Sequence, residues 1–200
     1  MTKTTILLTR HGETLWNYER RLQGQQDSPL TETGKMQALT AGKVLSNYPI
    51  TVAYSSPLKR ASDTAALAGF SEAVPDARLM EIDLGIWEGL TFTELCARYP
   101  SGYASFELGT PDSSLSGGES VEDVASRVME ALNNYVTTHS GGTVAVFSHY
   151  ITISCALCIA SGTPINQRRT FHIENSALQV LECVNNIWSV KSLNHNGDNR

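Results

Sequence analysis

The stretch TTILLTRHGET, Thr4 to Thr14, decides how this chain folds. It opens as a short apolar, β-branched run, the pattern of a buried strand. Its apolar centre, Ile6 to Leu8, is too short for a signal-peptide core or a membrane span. The run ends directly on Arg10 and His11. Two further stretches read the same way: TVAYS from Thr51 to Ser55, and TVAVFS from Thr143 to Ser148. Between them the period becomes helical. Ala38, Ala41 and Leu45 share one face of a helix opening near Thr31. Ser120 and Asp123 fit a capping box ahead of Val121, Val124, Ala125, Val128, Leu132, Tyr135 and Val136. Ile151 to Ala160 is apolar almost all round, as expected of a helix buried behind a sheet. Near the end, Ala177 to Val184 and Ile187 to Leu193 flank Asn185 and Asn186, which tolerate positive φ, so a hairpin is predicted.

Strands alternating with helices predict an α/β three-layer sandwich, with a mostly parallel central sheet, an antiparallel edge and helices on both faces. No repeat or interior linker interrupts the chain, so a single domain is expected over residues 1–193, followed by a polar tail at 194–200.

In such sheets the ligand lies beyond the carboxyl ends of the strands. Three ends then converge: the first carries Arg10 and His11, the second leads through Ser55, Ser56 and Pro57 to Arg60, and the third reaches Ser148 and His149. Two guanidinium groups and two imidazoles suit a dianionic phosphate, because Arg offers bidentate donors matched to its oxygens; carboxylate is the weaker alternative. A neutral histidine there can attack phosphorus and divide one hard hydrolysis into two easier steps, with no metal required.

Composition narrows the field. Among 200 residues, Lys and Arg number 15 against 20 for Asp and Glu, a formal charge of -5. That balance argues against a nonspecific nucleic-acid binder, so any anion site must be a local concentration of Arg. Four cysteines are too few and too scattered for a secreted disulfide framework, which points to the cytoplasm. Cys155 and Cys158 have a CxxC spacing, but both lie in the apolar ISCALCIA and read as core thiols. Of Trp16, Trp87 and Trp188, only Trp87 is expected close to the site. Zinc-protease, P-loop, dinucleotide and serine-hydrolase motifs do not occur.

RHGET is followed in order by Asn17, LQGQQDSPLTETGKMQA from Leu22, SSPLKRASDTA from Ser55, EIDLGIWEG from Glu81, SGGES from Ser116 and FSH ending at His149. In these motifs, which cover nearly the whole chain, the sequence resembles the histidine phosphatase superfamily, also called phosphoglycerate mutase-like. The resemblance implies that His11 is the nucleophile that becomes phosphorylated, and that Arg10, Arg60 and His149 hold the phosphoryl oxygens, with Asn17 joining them. Glu81 matches the general acid, which then activates water as a carboxylate. Gln23 and Gly24 match a loop bordering the substrate. Glu13 stays outside the catalytic set, either as a second carboxylate or as a tie for the loop. No metal or cofactor is implied; the partner is a small phosphorylated metabolite, not nucleic acid or membrane, and the chain acts as a monomer or homodimer.

One departure concerns the residue after the second histidine, Gly in many relatives and Tyr150 here. Tyr150 is expected to border the substrate, still supplying its backbone N–H, with its ring narrowing the mouth or packing beneath it. The segment between Glu81 and His149 is shorter than in true phosphoglycerate mutases, and LGIWEGLTFTELCARYP lacks the Lys those enzymes carry after the acid. Both features favour a phosphatase of small phosphomonoesters. Phosphoglycerate mutase, α-ribazole-5'-phosphate phosphatase and a non-catalytic phosphate-binding domain are the alternatives.

Overall fold

The strand that ends in Arg10 and His11 runs through the middle of the sheet. The computed structural model describes residues 2–109 and 111–195. Its strands are β1 (Lys3–Arg10), β2 (Val52–Ser55), β3 (Val74–Pro75), β4 (Thr143–Ser148), β5 (Leu178–Val184) and β6 (Ile187–His195), in the order β3-β2-β4-β1-β5-β6. The pairs β3/β2, β2/β4 and β4/β1 are parallel, while β5 against β1 and β6 against β5 are antiparallel. The helices are α1 (Leu15–Tyr18), α2 (Glu32–Leu45), α3 (Lys59–Leu67), α4 (Phe92–Arg98), α5 (Pro100–Glu107), α6 (Ser113–Ser116), α7 (Val121–Thr138) and α8 (Tyr150–Ser161).

Period-two alternation sorts the central strands between two cores. Ile6, Leu8, Val144 and Val146 face α7 and α8. Leu7, Ala145 and Phe147 face the other way, toward Val44 and Leu45 of α2 and Ala65 of α3. This is the predicted three-layer sandwich. α7 begins on the capping box foreseen at Ser120 and Asp123, and its buried Val121, Val124, Val128, Leu132 and Tyr135 form the foreseen stripe. α8 is buried continuously from Ile151 to Cys158. The hairpin turns on Asn185 and Asn186 at φ 51° and 64°, both in the left-handed region that type I′ turns require.

β6 runs two residues into the stretch predicted as a tail. The Asn194 N–H donates to Gln179 Oε1 at 2.9 Å, and its Nδ2 donates to the His172 carbonyl at 2.7 Å. These bonds give a polar residue a reason to stay in the sheet. The rest of the predicted tail, 196–200, lies outside the described residues. All four cysteines are free thiols. Among the described residues no helix is long and apolar enough to cross a membrane.

Candidate active site

Register brings the predicted residues together. Arg10 pairs with Ser148 across β1/β4, and Ser55 with Phe147 across β2/β4, so the three strands end level with one another. Beyond them lies a cleft of about 150 Å³ lined by Arg10, His11, Asn17, Gln23, Gly24, Arg60, Glu81 and Tyr150, with Leu22, Ile82, Leu84 and Phe106 also in its wall. His149 is fully buried beside it, its ring centroid 5.2 Å from that of His11.

The imidazole of His11 has a defined tautomer. Its Nδ1 lies 2.8 Å from the Gly12 carbonyl. A carbonyl only accepts, so Nδ1 carries the proton and Nε2 keeps its lone pair. Burial, then the charges of Arg60 and Arg10, hold its pKa well below the usual 6.5. The ring is therefore neutral at neutral pH.

A serine holds the ring of His149. Ser56 Oγ lies 2.8 Å from His149 Nε2 and also accepts the Leu58 N–H at 3.3 Å. His149 has its other ring nitrogen, Nδ1, buried without a hydrogen-bond partner among the described residues. Its pKa too is held well below 6.5, by burial first and then by Arg60 and His11.

Both arginines are anchored by their tips. Arg10 Nη1 donates to the Ile173 carbonyl at 2.8 Å. Arg60, 1% exposed, donates from Nη1 to Gln26 O at 2.7 Å and Asp27 Oδ1 at 2.8 Å, and from Nη2 to Gly24 O at 2.6 Å. In each, Nε is buried with no partner among the described residues. Burial lowers both guanidinium pKa values, yet Arg remains charged.

Glu81 is held by the start of α8. Its Oε1 accepts the N–H groups of Ile82 (3.1 Å) and Thr152 (3.3 Å), and Oε2 accepts that of Ile151 (3.2 Å). The N-cap residue of that helix, His149, makes no side-chain cap bond, so the carboxylate satisfies helix donors that would otherwise lack acceptors. Asn17 Oδ1 accepts both the N–H and the hydroxyl of Thr14 at 3.1 Å, leaving its Nδ2 arm for the cleft. Gln23 Oε1 is buried without a partner among the described residues. Gly24 sits at φ +53°, where a Cβ would collide with the Glu88 carboxylate.

Tyr150 forms one wall. The Arg10 guanidinium carbon stands 5.3 Å from its ring centroid, and its hydroxyl donates to Phe171 O at 3.4 Å. Trp87 is fully buried in the core cluster that also holds the wall residues Leu22, Ile82, Leu84 and Phe106, and it packs against Gly102 of α5 without lining the cleft itself. Glu13 accepts the Thr31 hydroxyl at 2.7 Å and so ties the loop to α2.

The sequence reading missed Asp27. Besides pairing with Arg60, it accepts the N–H groups of Lys59 at 2.7 Å and Arg60 at 3.3 Å, capping a helix whose N-cap, Leu58, has no side-chain acceptor. It lay in plain view in QGQQDSPLT, but nothing local there marks a cap for a helix 32 residues on.

An α/β sandwich presenting two guanidinium groups and two imidazoles at the carboxyl edge of its sheet is a phosphate-handling scaffold. This chain belongs to the histidine phosphatase superfamily (branch 1), whose sequence profile matches residues 6–196. It is 34% identical over 186 residues to the probable phosphoglycerate mutase GpmB of Proteus mirabilis (strain HI4320), spanning 92% of this chain and 86% of that protein. Bacillus stearothermophilus YhfR superposes with a TM-score of 0.85 at 35% identity, over 94% of this chain and 95% of that one. A mycobacterial glucosyl-3-phosphoglycerate phosphatase in complex with VO3 gives 0.84 at 28% identity, over 95% and 98%. Relatives thus carry both phosphatase and mutase names.

Proposed function

We propose that this protein is a phosphatase of small phosphomonoesters, working through a phosphohistidine at His11 without a metal. One observation carries the reading: beside a neutral imidazole with Nε2 free lie two buried donors without partners among the described residues, Arg10 Nε and Arg60 Nε, together with the unpartnered Nδ1 of His149. Buried donors left open in this way match the oxygens of a phosphoryl group.

In the first step Nε2 forms a bond to phosphorus as the ester P–O bond breaks, and Glu81 gives its proton to the leaving oxygen. In the second, water attacks phosphorus, its proton passes to Glu81, and the P–N bond returns its electron pair to Nε2. Arg10, Arg60, His149 and Asn17 hold the charge that builds on the equatorial oxygens, joined by the backbone N–H of Tyr150. Gln23 and Gly24 border the ester group.

Hydrolysis is favoured over mutation by the wall of the cleft. Leu22, Ile82, Leu84 and Phe106 are apolar. Arg21, also in the wall, is committed to Glu19, Glu94 and the Gly89 carbonyl rather than offered to a substrate carboxylate. The name of the Proteus relative supports a phosphoglycerate mutase as the second reading. The free thiols accord with work in the cytoplasm.

The test is hydrolysis of p-nitrophenyl phosphate with and without a chelator, then a panel of sugar phosphates, nucleotides, phosphoamino acids and phosphoglycerates. Chelator-resistant turnover, inhibited by orthovanadate, is expected. Phosphoglycerate isomerisation far exceeding every hydrolysis would reverse the assignment to the mutase. No turnover of any ester despite phosphate binding would mark a non-catalytic domain.

A further inference from the structure

Gly12 follows the nucleophile because nothing larger fits: a Cβ there would collide with the Gly34 carbonyl of α2. Glycine is also the residue whose backbone is least able to hold its own direction. Yet the tautomer of His11 depends on where the Gly12 carbonyl points, since that oxygen receives the Nδ1 proton; it belongs to the Gly12–Glu13 peptide, whose N–H donates to Gln37 Oε1 at 2.9 Å. Two side chains, neither assigned to the reaction, grip the His11–Gly12 peptide from opposite edges. On one edge, the Gly12 N–H donates to Thr64 Oγ1 at 3.0 Å, and the Thr64 hydroxyl donates in turn to the Arg60 carbonyl at 2.7 Å. On the other, Asn175 Nδ2 donates to the His11 carbonyl at 3.0 Å and reaches Asn17 Oδ1 at 3.5 Å. Thr64 is fully buried on α3, whereas Asn175 comes from the turn before β5, where the Ser176 N–H also binds the Arg10 carbonyl at 3.0 Å.

We infer that Thr64 and Asn175 are positioning residues that clamp the His11–Gly12 peptide plane and, with Gln37 holding the Gly12–Glu13 peptide, fix both dihedrals of Gly12, so that its carbonyl holds the proton on Nδ1 and Nε2 faces the phosphoryl group. With the first peptide bonded at both edges and the second at its N–H, neither can turn about the single bonds at Gly12 without breaking a grip. The clamp also joins parts of the phosphate ring: Thr64 ties the nucleophile's peptide to the helix of Arg60, and Asn175 ties it to Asn17. The inference rests on the proposed role of His11, but its spectroscopic consequence does not need turnover.

Thr64→Val keeps the side-chain volume and removes the hydroxyl; Asn175→Ala removes the amide at a half-buried site; Thr64→Ser restores the hydroxyl. With p-nitrophenyl phosphate, the valine and alanine variants are expected to lose roughly 10- to 100-fold in kcat with little change in KM, as for a misoriented reacting group. The serine variant is expected to recover most of that loss. In 15N spectra of the histidine ring, the wild type should show the Nδ1–H tautomer for His11, and the two damaged variants a mixture with Nε2–H. Wild-type kcat in both, a change confined to KM, or an unaltered tautomer would overturn the clamp. So would failure of both variants to fold, which would assign the two side chains to stability alone. If the wild type hydrolyses no ester, the proposed function fails while the tautomer measurement still decides the clamp.

Discussion

His11 and His149 are two imidazoles kept neutral by burial beside fixed positive charge, and this makes protonation a matter of stability as well as rate. The folded pKa of each lies well below 6.5, the ordinary value kept in the unfolded chain. Above 6.5 both are neutral in either state and the pair favours neither. Below it, the unfolded chain binds protons that the native protein refuses, so stability falls as pH drops from 6.5 toward the folded pKa values. Thermal melts between pH 7.5 and 5 should show this decline, and His11→Gln should flatten it; a decline that begins only with the carboxylates would contradict the assignment. The roles proposed for His11 and Glu81 separate by a second experiment. His11→Ala should abolish both turnover and acid-labile phosphoenzyme. Glu81→Gln should cost about 10²- to 10⁴-fold, least for leaving groups of low pKa such as p-nitrophenolate. Rapid-quench labelling and mass spectrometry would locate the phosphate, and phosphate on a serine would refute the nucleophile.

At the scale of elements, α3 carries Arg60 into the cleft but has no cap of its own. Asp27 supplies both the cap and the counter-charge. Asp27→Ala should therefore cost about 1–2 kcal/mol in a urea melt from the lost cap alone. It should also weaken inhibition by inorganic phosphate, because Arg60 loses the partner that aims it; unchanged inhibition would show that the two carbonyl contacts suffice. What the sequence disclosed and what it withheld divide at this scale. β4, the stripe and cap of α7, and the Asn185–Asn186 turn were readable because alternation, three- and four-residue spacing and left-handed preference are written locally. The meeting of Arg10, His11, Arg60 and His149 was readable from parallel topology, and the family's motifs added Glu81. Asp27, Thr64 and Asn175 were not, because each acts through a side-chain bond to a backbone group distant in the chain, which leaves no periodic trace. The end of β6 was missed because Asn194 looks like tail until its amide is seen bridging His172 and Gln179.

Over the whole molecule, the sheet and α3 bring Arg10, His11 and Arg60 to the cleft, while Phe106 of α5 and Tyr150 at the start of α8 complete its wall. Tyr150→Gly, the residue many relatives carry, should widen the mouth and raise kcat/KM for bulky phosphomonoesters relative to p-nitrophenyl phosphate. Absolute rates should fall, because Arg10 loses the ring it stacks on, a contact worth about 0.5–2 kcal/mol. Equal changes for large and small esters would show that Tyr150 supports Arg10 without setting the aperture. The central place of β1 has a consequence for synthesis. β1 is made before either of its neighbours: Leu7 pairs with Ala145 on one side and with Val180 on the other. Closing such long loops is slow, and a strand with both edges open invites pairing with other chains. His11 thus leaves the ribosome long before β4 and β5 can enclose it, and a growing chain carries it without His149 and Tyr150 beside it until the sheet closes.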